Sequence, residues 1–375
     1  QVTRKNRVSH LFFSGYTGIM FFWRTPGIVF ALLAALVWGV STPLSKILLT
    51  TISPILLAAI LYLTDGVALL AWLGIARWRH RVPAEAWLKG RDWGWLAGAT
   101  LAGGVLGPVL LLWGLARCGA ASASLLLNSE MVLSALLAWV VFREHVSKRS
   151  GLGMLAIAAG GGVLSWGGSF ELAGGWGPLA IVAGCGCWAV DNNLTREISR
   201  CDPFLTGGLK GLVAGTCNLA LALALGQGWI GAWTWGAVSL AGLVGVVAYG
   251  FGFVFFMLGL RHLGTGRTVA WFATAPFIGA VASLFFFPAW PTPSFFAAAG
   301  LMGLGVWLHL AEGHRHRHGH EVLEHEHAHA HDEHHRHEEI GGHPVGQKHS
   351  HPHRHDALAH AHPHHPDLHH RHGHG

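Results

Sequence analysis

The stretch Trp188-Ala-Val-Asp191-Asn192-Asn193-Leu194-Thr195-Arg196 closes an apolar run that begins near Gly174. It sets a carboxylate and two amides inside a segment long enough to cross a membrane. Polar groups at that depth are costly. They usually face a bundle interior, and an ionisable one marks a functional position by default. Trp188, Asp191, Asn192 and Thr195 stand at i, i+3, i+4 and i+7, so a helix carries them on one face. A weaker copy, Trp38-Gly-Val-Ser41-Thr42-Pro43-Leu44-Ser45-Lys46, lies about 150 residues upstream. Trp aligns with Trp, Leu with Leu, Ser with Thr and Lys with Arg.

The surroundings suit a membrane. The 375 residues are 51% hydrophobic and 12% charged, where a soluble chain carries about 25% charged residues. All but five of the 29 histidines lie beyond residue 312, so the average joins an apolar body to a polar tail. The formal charge of +6 sits in short connections between apolar segments, which argues against nucleic acid as a partner. Five cysteines, Cys118, Cys185, Cys187, Cys201 and Cys217, do not form a disulfide framework. The pair Cys185 and Cys187 reads as small packing residues rather than soft metal ligands.

A spanning helix needs about 20 apolar residues. Ten segments meet that length, roughly 27–49, 52–76, 93–116, 120–142, 150–167, 174–195, 203–226, 235–260, 264–287 and 293–311. With the N-terminus inside, the inner connections hold Arg77, Arg79, Arg81, Lys89, Arg91, Arg143, Lys148, Arg149, Arg196, Arg200, Arg261 and Arg267. The outer ones hold only Lys46 and Arg117. This bias predicts an inner-membrane, multi-pass protein with both termini cytoplasmic. Residues 1–26 read as an N-terminal extension, with Met20 the expected natural start.

Further correspondences follow the first. Ser53-Pro54 aligns with Asp202-Pro203, and Arg117-Cys118-Gly119 with His262-Leu263-Gly264. The chain thus divides into two five-helix halves, 27–168 and 174–312. An odd number of helices per half forces the second half to insert upside down. That is the inverted-repeat plan of many secondary transporters, with a site near the midplane between the halves. The expected fold is therefore an all-α integral membrane protein of ten transmembrane helices in two inverted repeats, followed by a disordered histidine-rich tail, 313–375. Runs such as Gly160-Gly161-Gly162, and Gly242, Gly245, Gly250 and Gly252, suit close helix packing.

The doubled Trp-containing helix occurs beside Leu125-Leu126-Leu127-Asn128-Ser129-Glu130, Ala135-Leu136-Leu137-Ala138-Trp139, Phe142-Arg143-Glu144, and Ala273-Thr274-Ala275-Pro276-Phe277-Ile278-Gly279-Ala280. On these motifs residues 27–312 resemble the EamA-like branch of the drug/metabolite transporter superfamily. The resemblance implies a secondary carrier working by alternating access, often an exporter. The chain departs from it at Leu61, where the family often has Arg, and at Met131, where it often has Pro. Lys210 is the second-half equivalent of Leu61.

Asp65, Glu130 and Asp191 are the embedded acids and Lys210 the embedded base. Carboxylates in low dielectric can exchange protons near neutral pH, which suits proton coupling as well as cation binding. A neutralised acid–lysine pair holding helices together is the structural alternative. Asn128, Asn192 and Asn193 could complete a polar pocket, with Trp38 and Trp188 on the pathway; Tyr249 and Trp271 are wall candidates, with interface anchor or lipid contact the favoured reading of each. On a regular helix Asn128 and Glu130, two apart, point in different directions. Glu144 is expected to pair with Arg143, Lys148 or Arg149.

In the tail, His314, His316, His318 and His320 alternate, as do His325, His327, His329 and His331, and later His349, His351, His353 and His355. Imidazole at every second position suits Zn, Ni or Co, and also Cu, without choosing among them. The composition cannot build a core. No resident cofactor is required. The expected function is a secondary transporter, working as an exporter, of a small metabolite or a divalent transition metal ion. The alternative is a membrane-embedded metal sensor or storage protein whose tail binds metal without transport. With no nucleophile–base or helical metal-ligand spacing in the membrane part, an enzyme is not expected.

Overall fold

The structure, a computed structural model, describes residues 26–79, 87–142, 148–166, 176–230, 232, 234–263, 265–287 and 291–310, together with 314–319, 323–329, 349–355 and 359–364. Residues 1–25 of the N-terminal extension, Met20 among them, and Arg143, Glu144, His320 and His331 lie outside the described residues, while Pro26 opens the first helix.

The body is helical throughout. Its helices are α1 (Pro26–Leu48), α2 (Pro54–Trp78), α3 (Asp92–Leu115), α4 (Ala120–Leu126), α5 (Ser129–Phe142) and α6 (Lys148–Trp166), then α7 (Gly177–Glu197), α8 (Pro203–Ala224), α9 (Trp235–Leu263), α10 (Thr265–Phe272), α11 (Ala275–Phe286) and α12 (Pro293–Leu310). Proline opens several of them, where its fixed φ and missing N–H cost nothing. Asp202 caps α8, its Oδ1 accepting from Phe204 N at 2.9 Å and Leu205 N at 3.2 Å.

Among the described residues, eight helical stretches are long and apolar enough to cross a membrane: α1, α2, α3, Ala120–Leu137, α8, α9, Arg267–Phe286 and α12. The other two expected spans, α6 and α7, are helices of 19 and 21 residues that fall short on hydropathy. Lys148, Arg149 and the glycine run dilute α6, and Asp191, Asn192 and Asn193 dilute α7. The protein is a multi-pass membrane protein.

Two irregularities recur. Thr100–Leu106 within α3 and Gly245–Phe251 within α9 are seven-residue π segments. The fourth apolar span of each half is broken, between α4 and α5 at Leu127-Asn128 and between α10 and α11 at Ala273-Thr274. Packing follows the same rhythm. The helix α1 lies against α9 and α11, while α7 lies against α3 and α5; α2 pairs with α8, and α6 with α12.

Close approach requires glycine at several of these contacts. A methyl at Gly252 would lie 2.7 Å from Trp38 Cδ1, and one at Gly107 would lie 3.1 Å from Trp188 Nε1. Each half's tryptophan is thus seated on a glycine of the other half's third helix. Basic and acidic side chains converge at one end. Arg77 pairs with Asp202 at 3.1 Å, and Arg261 donates to the Ser199 and Cys201 carbonyls at 3.3 and 2.9 Å. At the other end Lys46 Nζ donates to the carbonyls of Leu115 and Ala116 at 2.7 and 3.1 Å, closing the C-terminus of α3.

The described stretches of the tail run extended as β1 (His314–Gly319), β2 (Leu323–His329), β3 (His349–His355) and β4 (Ala359–His364). β1 pairs with β4 and β2 with β3, both antiparallel. This differs, for those stretches, from the unstructured chain that composition suggests. Histidine at every second position has the period of a strand.

Candidate functional site: a two-lobed cavity between the halves

The third helix of the first half organises the site. A π turn displaces backbone carbonyls from their regular partners, and three neighbouring helices use those of α3. Tyr62 OH on α2 and Trp188 Nε1 on α7 both donate to the Gly103 carbonyl, at 2.8 and 3.0 Å. Asn218 Nδ2 on α8 donates to the Gly104 carbonyl at 3.0 Å. Gly103 also leaves room for the Asp191 side chain, whose carboxylate would overlap any β-carbon there.

Around this anchor lies a cavity of about 50 Å³, lined by Trp38, Tyr62, Asp65 and Glu130 from the first half. Trp188, Asp191, Asn192, Thr195, Gly207, Lys210, Tyr249, Phe253, Phe256 and Phe272 line it from the second. The rings interlock: Trp38 meets Trp188 edge-on at 5.3 Å, Tyr249 at 5.2 Å and Phe272 at 6.0 Å, while Tyr62 meets Tyr249 at 5.1 Å. A second lobe of about 30 Å³ shares Trp38, Glu130, Trp188 and Phe272, and adds Gly39, Thr42, Leu127, Asn128, Met131, Val269, Ala273, Ala275 and Pro276. Glu130 therefore stands in the wall between the lobes.

The polar groups are unevenly matched. Lys210 Nζ bonds Asp191 Oδ2 at 2.5 Å, with the pair almost fully buried, and Thr195 Oγ1 donates to Asp191 Oδ1 at 2.9 Å. Lys210 also lies over the Phe253 ring, 5.0 Å from its centre. Asn192 Nδ2 donates to Glu130 Oε1 at 2.7 Å. Asp65 Oδ1 and Asn128 Oδ1 are buried and have no hydrogen-bond partner. Asn128 spends its Nδ2 on the Leu125 carbonyl at 3.0 Å, which fixes the amide's orientation.

The cavity thus gathers Asp65, Glu130, Asp191, Asn192, Lys210, Trp38 and Trp188, with Asn128 in the second lobe. The shared face of Trp188, Asp191, Asn192 and Thr195 lines one wall. Asn193 is not brought in; it is buried and donates to the Ala189 carbonyl one turn back at 2.8 Å. One expectation is corrected. Asn128 and Glu130 both line the second lobe, because the chain breaks between α4 and α5 and regular helical spacing does not apply across the break. Trp271 lies outside both lobes. Tyr62, Gly103, Phe253, Phe256 and Phe272 went unread in the sequence, since an aromatic in an apolar run looks like any lipid-facing side chain.

Cys185 is buried against the Leu126 and Leu127 carbonyls at 4.0 and 3.9 Å, and Cys187 is a free thiol. Among the described residues no group of three His, Cys, Asp or Glu side chains is arranged to hold a metal ion.

A helical, multi-pass membrane protein with a buried polar cavity between its halves has the build of a transporter. The chain belongs to the EamA-like transporter family, whose model matches residues 25–166 and 175–311. It is 27% identical over 267 residues to an uncharacterized transporter of Methanothermobacter thermautotrophicus, covering 68% of this chain and 77% of that one. To an uncharacterized transporter of Synechocystis sp. it is 27% identical over 266 residues, covering 64% and 76%. A solved protein crystal structure superposes with a TM-score of 0.57 at 22% identity, over 77% of this chain and 99% of that one, a likeness of fold. The chain is a membrane transporter.

Proposed function

We propose that the protein is a ten-span secondary transporter of the inner membrane, built as two inverted five-helix repeats, that exports a small organic solute by alternating access. The carrying observation is the cavity itself, whose wall is drawn from both halves and joins an aromatic box to buried acids. The recurrent π segments, the paired helix breaks and the reciprocal Trp–Gly seats support the repeat. The gathering of Arg77 and Arg261 at one end supports the charge bias, with both termini cytoplasmic.

The cavity's chemistry supports a cargo with an apolar body and hydrogen-bond donors. Lys210, Asn192, Trp188 and Tyr62 already donate within the protein, whereas Asp65 and Asn128 keep unmet acceptor oxygens. A water molecule needs about 10–15 Å³ by such a measure. A lobe of about 50 Å³ therefore holds a few waters, and a solute enters only when the halves part. Aromatic walls favour this cargo over a bare metal ion. The alternation of histidines supports a separate role for the tail, binding Zn, Ni or Co.

Proteoliposomes loaded with labelled amines, amino acids and carboxylic acids test the reading. At least one amine-bearing solute should move, and Glu130→Gln and Asp191→Asn should slow it at least tenfold. Flux indifferent to both substitutions, or metal bound by the tail with no flux of any solute, would sink it.

A further inference from the structure

Lys210 shares one cavity with Asp191, its partner, and with Asp65, and these two acids belong to different halves. Its present partner, Asp191, sits on α7, in the same half as Lys210 on α8. Asp65 sits on α2, in the first half, and lines the same cavity. The contact between α2 and α8 is very tight at this level. A methyl at Gly211, next to Lys210, would lie 2.8 Å from Asp65 Oδ2, and one at Gly66, next to Asp65, 2.8 Å from the Gly211 carbonyl carbon. Gly250 on α9 closes the other side, where a methyl would lie 3.2 Å from Asp65 Oδ1. That oxygen is buried and has no donor, while both Asp191 oxygens are bonded, one to Lys210 and one to Thr195.

We infer that Asp65 is the site of the coupling proton and that Lys210 is a mobile counter-ion, pairing with Asp191 when Asp65 is protonated and crossing to Asp65 when the proton leaves. The step makes and breaks no bond other than the O–H bond of Asp65. A proton from water on one side of the membrane binds the carboxylate, and it departs to water on the other side. The flexible four-carbon stem of lysine permits the crossing. The ion pair then changes from one within the second half to one that ties the halves together. Proton release at Asp65 thereby adds an ion pair across the packed α2–α8 interface and frees Asp191 on α7 for cargo. The other titratable groups facing Asp65 across the cavity are Tyr62 on its own helix, Glu130 on α5 and Tyr249 on α9. Glu130 is already engaged by Asn192 and Tyr62 by Gly103. This inference rests on the carrier reading for its purpose, not for its test.

The test uses the purified full chain in lipid nanodiscs, with protons as the only ligand. Infrared difference spectra between acid and alkaline pH should contain a protonated-carboxyl band that is lost in Asp65→Asn and persists to higher pH in Lys210→Met, where the counter-ion is gone. Hydrogen–deuterium exchange should show α2 and α8 gaining protection and α7 losing it as pH rises. That response should vanish in both variants. A wild-type band in Asp65→Asn, or a pH response of exchange that survives Lys210→Met, overturns the proposal. Should Asp65→Asn not stay monodisperse, Asp65→Glu decides: the band should persist with a shifted midpoint, and an unchanged midpoint overturns the assignment. A chain that passes these tests yet moves no solute refutes the carrier reading alone. A chain that moves solute yet fails them refutes the proton switch alone.

Discussion

At Gly103 a hydrogen atom stands where any other residue would put carbon into the Asp191 carboxylate. Gly103→Ala should therefore cost about 1–3 kcal/mol, the usual range for overpacking, read as a lowered Tm in detergent. Lys210→Met should cost more, about 3–5 kcal/mol, because it leaves a buried carboxylate unpaired. Adding Asp191→Asn to that variant should recover most of the loss; a double variant no better than the single one would mean that the pair is not what stabilises this level. Outside the membrane, burial pushes the Cys118 and Cys201 thiols up to about 11. Little thiolate is then present at neutral pH, so both should resist maleimide at pH 7 in native protein, with labelling rising steeply as pH approaches that value. Sequence reading reached the acids and Lys210 because charge in an apolar run is conspicuous. It passed over Gly103 and Phe272 because glycine and phenylalanine are ordinary in membrane helices.

Among the elements, the interrupted ones carry the site. The break after α4 lets Asn128 and Glu130 face one lobe, and no proline announces it, whereas Pro276 stands just after the matching break before α11. Among the described residues, eight of the expected runs are helices long and apolar enough to cross a membrane, and these were legible from length alone. The π segments were not, since their residues are as apolar as those of any turn on either side. Their hydrogen bonds are testable. Trp188→Phe keeps an aromatic six-membered ring but removes the pyrrole portion with the N–H that reaches the Gly103 carbonyl, which Tyr62 alone would then satisfy. The expected loss is about 2 kcal/mol, one such bond plus the cavity left by the smaller ring, seen as a drop in Tm with the fold retained.

For the whole molecule, the duplicated Trp motif predicts which helices should correspond. The packing partners then followed a pattern that no single segment reveals. Orientation is checked in a cysteine-free background. Gln227→Cys should react with a membrane-impermeant maleimide in intact cells, and Lys89→Cys only after permeabilisation; the reverse result would turn the molecule over. Removing 313–375 should leave a folded, monodisperse body and abolish zinc binding by titration calorimetry, and a body that binds zinc equally without it would assign the metal elsewhere.

The π segment of α3 also has an arithmetical side. Each residue of an α-helix advances the chain by about 100° of rotation, so the wider turn of Thr100–Leu106 stores an angular offset between the two ends of α3. Winding those seven residues as a regular α-helix, with none removed, would discharge that offset. The half beyond them would rotate by roughly one residue's angle, about 100°, carrying Gly107 away from the Trp188 ring while leaving every helix boundary intact. A fault of this kind is a mistimed thread on a screw: each part is sound, the length is almost right, and the two faces no longer meet.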